Sequence, residues 1–136
     1  MNREIKFRGF QKSFIYGGIT IFENQANIFD VNCVANSSYE VDINSVGQFT
    51  GLLDKNDKEI YEGDILKTSN NIVNVFFGKH TSYVTILGKK DTIETNGWLV
   101  KNAKVHVDVL DESFCNGEVI GNIYENTELF DGSVVA

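Results

Sequence analysis

The chain has 136 residues, 42% of them hydrophobic, enough for the core of one domain or of one domain with a small satellite. Nineteen acidic against twelve basic side chains leave a net charge of -7, which repels phosphate backbones and argues against non-specific nucleic-acid binding as the main task. No apolar run approaches the roughly 18 residues that cross a bilayer, and none follows the charged opening Met1 to Lys6, so a cytoplasmic protein with no membrane association is expected.

Taken in chain order, the residues read as strands. Ile5 and Phe7 alternate with Lys6 and Arg8, the period of a half-buried strand. Phe14 to Tyr16 and Ile19 to Phe22 flank Gly17-Gly18, which predicts a hairpin turning at the glycine pair. Further strands are predicted over Asn27 to Val34, Ser45 to Thr50, Asp64 to Thr68, Ile72 to Phe77, Tyr83 to Leu87, Gly97 to Val100 and Glu118 to Tyr124, each bounded by Asn, Asp, Gly or Ser. Val105, Val107 and Val109 alternate with polar neighbours as another. Helix is limited to one turn within Leu110 to Asn116, with Asp111 as its cap, and another within Asn126 to Phe130. Many short strands without a crossover helix predict an all-β, mainly antiparallel fold of barrel or sandwich type. The polar stretch Asn36 to Asn44 is the best boundary, dividing an amino-terminal β extension (1–45) from the main domain (46–136).

Residues 48–66, running from Gln48 through Thr50-Gly51-Leu52-Leu53-Asp54 and Ile60-Tyr61-Glu62-Gly63-Asp64 to Leu66, resemble the central signature of the YopX family. Ile5-Lys6-Phe7-Arg8 before it and Val119 to Asn126 after it are similar to family segments in the same order, so the resemblance spans nearly the whole chain. It departs from the family pattern at Asp57, where a turn glycine is usual, and at Thr127, where a proline is common. The resemblance implies a phage or prophage origin, a cytosolic protein and an SH3-like barrel or roll over roughly the second two-thirds of the chain. It implies no reaction. The signature residues Thr50, Gly51, Asp54, Tyr61, Gly63, Asp64, Gly121, Asn122 and Tyr124 take a structural reading first. Gly63 permits a sharp turn and Asp64 bonds local backbone amides.

The sequence offers little chemistry to set against that reading. Cys33 and Cys115 are lone cysteines without C-x-x-C spacing, expected as free thiols in a reducing compartment. The acidic group Asp57, Glu59, Glu62 and Asp64 fits no established cation loop, and no metal or other cofactor is expected. His80 sits in the turn-like stretch Gly78 to Ser82 and His106 on the polar face of a strand, so no catalytic site is assigned. Aromatic residues are abundant, and Phe76-Phe77 must point to opposite faces of any strand. The expectation is therefore a non-enzymatic accessory protein acting through protein binding or self-association. A small homo-oligomer, or a phage or host protein partner, would cover Phe14, Ile19, Ile21 and Phe77. The second reading is a nucleic-acid-associated regulator that uses barrel loops and a basic patch drawn from Lys79, His80, Lys89, Lys90, Lys101, Lys104 and His106.

Overall fold

The computed structural model describes residues 4–30, 38–69, 71–103 and 106–130. They form ten strands: β1 (Phe7–Phe10), β2 (Phe14–Phe22), β3 (Gln25–Asp30), β4 (Ser38–Leu53), β5 (Glu59–Tyr61), β6 (Asp64–Lys67), β7 (Ile72–Ile86), β8 (Lys89–Asn102), β9 (Val107–Val109) and β10 (Glu118–Asn122). A 3-10 turn over Glu112–Asn116 and the short helix α1 (Thr127–Phe130) complete them. All pairings are antiparallel.

Two five-stranded sheets result. The first has the order β1-β2-β3-β4-β5 and closes on itself, because β1 pairs with β4 as well as with β2. Closure removes free edges from this ring. Inside it Ala26, Ile28 and Val41 are buried, with Phe7, Ile15, Ile19 and Val46 packed around them. The second sheet has the order β10-β6-β7-β8-β9, consistent with an SH3-like roll. Its core is Ile60, Leu66, Val73, Val75, Val100, Leu110 and Val119, joined by Leu52, Trp98 and Phe114. The 3-10 turn is capped as expected: Asp111 accepts a hydrogen bond from the Ser113 amide at 2.9 Å.

Three expectations from local pattern are overturned. Gly17 and Gly18 lie inside β2, where Gly17 is the point at which β2 passes from pairing with β1 to pairing with β3. The hairpin turns instead at Glu23-Asn24, with Glu23 at φ 54°. Long-range pairing on both sides of β2 outweighs the turn preference of a glycine pair. The expected turn at Gly78 to Ser82 is continuous strand, so the segments placed at 72–77, 83–87 and 97–100 belong to one hairpin of two long strands. Its turn is Leu87-Gly88, both with positive φ (53° and 78°), the pattern of a type I′ turn. Polar residues in a solvent-exposed ribbon are indistinguishable in sequence from those of a loop. Finally Arg8, which alternates with Ile5 and Phe7 as an outward-facing residue would, is buried. Strand β3 is described as far as Asp30, and the rest of the span expected for it, to Val34, lies outside the described residues; β10 ends at Asn122, and the boundary expected at residues 45 and 46 falls inside β4. Cys33, Lys104, Val105 and residues 36–37 of the proposed linker lie outside the described residues.

Candidate functional site

The signature residues gather where the two sheets meet. β4 leaves the ring and ends at a turn built on Asp54. Its Oδ1 accepts hydrogen bonds from the amides of Asn56 (2.8 Å) and Lys58 (2.9 Å), and its Oδ2 accepts one from the Val119 amide of β10 at 2.9 Å. One carboxylate thus shapes a local turn and fastens it to a strand 65 residues away. Burial raises the Asp54 pKa, but the three amides outweigh it and hold the carboxyl below the usual aspartate range. Asp57, where the family pattern favours glycine, is left-handed at φ 62°, a conformation Asp tolerates. Thr50 Oγ1 donates to the Ile60 carbonyl at 2.7 Å, and Gly51 at φ 89° lies in the bulge between the Phe49 and Leu53 pairings.

Gly63 stands at the centre of the junction. Its φ of 91° is reserved for residues without a Cβ. Its N–H donates to the Val75 carbonyl at 2.8 Å, and its own carbonyl accepts from the Ile123 amide at 2.8 Å, linking β7 to the end of β10. Close approach governs a second glycine, Gly47: a Cβ there would stand 2.5 Å from the Glu62 carbonyl oxygen. Asp64 follows, with Oδ2 accepting from the Tyr61 amide at 2.8 Å and Oδ1 2.7 Å from Nη2 of Arg8. Burial pushes the Asp64 carboxyl up, and Arg8 with the Tyr61 amide pulls it back only in part.

Arg8 was outside the site residues the sequence offered, yet it is the group that joins the first strand to the signature. Its guanidinium stacks 4.4 Å from the Phe14 ring centroid and 4.9 Å from that of Tyr61. One residue pair away, Lys6 Nζ meets Glu59 Oε2 at 2.6 Å, and the Tyr61 hydroxyl donates to Glu59 Oε1 at 3.1 Å. Burial together with the Glu59 charge raises the Tyr61 pKa. Local alternation carried no signal of this. The hint lay in Ile5-Lys6-Phe7-Arg8 belonging to the same resemblance as Gly63-Asp64.

At the carboxyl end Asn122 Oδ1 accepts from the Glu125 amide at 2.8 Å, and a Cβ on Gly121 would sit 2.7 Å from Asn126 Oδ1. The Tyr124 hydroxyl donates to Asp42 Oδ2 at 2.7 Å, back on the first sheet. A cavity of about 160 Å³ lies at the junction, lined by Arg8, Phe14, Glu62, Phe76 and Tyr124 among others. Phe76 is half-buried beside this cavity, with the Lys101 ammonium 5.2 Å from its ring centroid.

The expected interaction surface is split. Phe14 lines that cavity and Ile19 packs on the ring core, whereas Ile21 and Phe77 are exposed, on different sheets. Phe77 meets Trp98 edge-on at 5.1 Å. Among the described residues no three His, Cys, Asp or Glu side chains converge to hold a metal ion, and no helix is long and apolar enough to cross a membrane. Cys115 is a half-buried free thiol in the 3-10 turn, and the exposed His106 donates its amide to Asn102 Oδ1 at 3.0 Å.

Two antiparallel sheets, the first closed into a ring and the second open, sutured by a buried Arg–Asp pair and by turn carboxylates, define an all-β class in which the signature serves as a joint. The chain belongs to the family described as YopX protein, whose pattern matches residues 6–131. No curated protein matches the chain.

Proposed function

We propose that this protein is a non-enzymatic phage or prophage accessory protein of the host cytosol, working by binding protein, its own copies included. The observation that carries the reading is the contrast between the signature and the surface. Polar signature groups are occupied with one another and with backbone amides, leaving them committed to shape, while Phe22 (75% exposed) and Phe77 (60% exposed) face solvent without cover. Residues 1–45 would serve as the extension and 46–136 as the SH3-like barrel.

Light scattering after size exclusion tests the self-association arm of this reading, with Ile21→Lys as the variant because Ile19 serves the core. A mass above 15.2 kDa at high micromolar concentration supports it; a persistent monomer leaves only a foreign protein partner. The second reading, a nucleic-acid-associated regulator, draws on Lys79, Lys89 and Lys90 lying on one projecting hairpin. With a net charge of -7 the expected affinity for generic duplex DNA at physiological salt is weaker than about 10 μM, and submicromolar, steeply salt-dependent binding would promote that reading.

A further inference from the structure

Among the described residues, β7 and β8 continue alone beyond the pairing of Gly78 with Gly97. β6 reaches only as far as Asn74 along β7, and β9 only as far as Leu99 along β8, so the ladder from Lys79↔Asn96 to Ile86↔Lys89 is a two-stranded arm with two free edges. Such a ribbon is marginal in water by itself. Its apolar side chains lack a core: Tyr83 is 84% exposed, and Leu87 at the tip is 99% exposed.

Leu87 also stands in the left-handed region at φ 53°, at a turn position that favours Asn, Asp or Gly. A branched apolar residue, strained and wholly in water, contributes nothing to the fold at that place. Strain kept without a local benefit points to use elsewhere. The arm differs from the body in charge as well. Lys79, Lys89 and Lys90 outnumber Asp91 and Glu94, giving it a positive balance on a chain of net charge -7.

The complementary feature lies on the first sheet. A shallow, widely open hollow lies beside β1 and β4, lined by Phe10, Gln11, Glu40, Val41, Asp42 and Tyr124. Its charged members are both carboxylates. Phe10 and Tyr124 supply an aromatic floor, their ring centroids 5.2 Å apart, and the Tyr124 hydroxyl fixes Asp42 in place. An apolar tip flanked by two lysines matches an aromatic groove rimmed by two carboxylates.

We propose that the Leu87 tip of the β7–β8 arm docks into the Phe10–Tyr124 groove of a second copy of this chain, with Lys89 and Lys90 facing Glu40 and Asp42. This inference rests on the self-association reading above and names its interface. The contact is heterologous, arm to groove, so it closes either as a mutual exchange between two chains or as a ring.

Complementation tests it in the full chain. An arm variant, Leu87→Ser with Lys89→Glu and Lys90→Glu, keeps the groove; a groove variant, Gln11→Lys with Glu40→Lys, keeps the arm, and all five positions are exposed. Wild type is expected above 15.2 kDa by light scattering, each variant alone at 15.2 kDa, and their mixture as a complex of one arm variant with one groove variant. Unaltered assembly of either variant would overturn the arm–groove contact while leaving self-association standing. Wild type that stays monomeric would overturn both. Binding of duplex DNA lost on Lys89→Glu and Lys90→Glu, with assembly unchanged, would likewise overturn the proposal in favour of the groove-reading use of a β ribbon.

Discussion

The base and the arm of the β7–β8 hairpin are one continuous ladder, yet they answer to different physics. At the base, Val73, Val75 and Val100 are buried on one face, and Asn74 and Leu99 are enclosed on the other. Past Gly78 and Gly97 the same two strands keep their register but have no sheet neighbour on either side among the described residues. Backbone hydrogen bonding and the cross-strand Lys79–Glu94 ion pair extend the arm; burial of side chains holds the base. Buried and exposed apolar side chains are thereby separated along one element, with the signature residues around the base and the exposed apolar residues on the arm.

The largest effect should come from the joint. Replacing Arg8 by Met leaves Asp64 buried without its cation, at an expected cost of about 3–5 kcal/mol in urea-induced unfolding, enough to threaten folding altogether. A loss below about 1 kcal/mol would mean the two sheets are held by their apolar contacts and the pair is incidental.

Next in size is Gly63→Val. A Cβ there meets Ile123 at an ordinary 3.6 Å, so the cost is backbone strain at φ 91°, expected at about 1–3 kcal/mol. Unchanged thermal stability would show that the turn relaxes and would weaken the view of the signature as a joint.

The two buried aspartates sharpen the comparison through pH. Asp54, held below the usual range, contributes stability that is fully present above that range and is lost as pH falls through its folded pKa. Asp64, pushed above the usual range by burial, has the opposite sign: its share is present below that range and declines as pH rises through its folded pKa. In urea titrations below pH 5, Asp54→Asn should therefore flatten the acid loss of stability. An identical acid slope in wild type and variant would remove Asp54 from the account.

The smallest effect belongs to the arm tip. Leu87→Asn relieves the left-handed strain and should leave stability unchanged or raise it by roughly 0.5–1 kcal/mol, read from the urea midpoint. A clear loss would show that Leu87 packs within its own chain and does not wait for a partner.

What the sequence determined by itself was local. The all-β class, the left-handed residue at Asp57, the turn at Gly63, the Asp111 cap and the amide-binding role of Asp64 were all legible, because each is set by side chains within a few positions of one another. Tertiary structure decided the rest. Arg8 is buried because Asp64, Phe14 and Tyr61 converge on it, the first of them 56 residues along the chain, and no alternation of neighbours encodes that. The ring closes and Gly17-Gly18 stays extended because β1 and β3 both pair with β2. The arm is a strand where polarity indicated a loop because β8 continues opposite it, and only that long-range pairing separates an exposed ribbon from a turn.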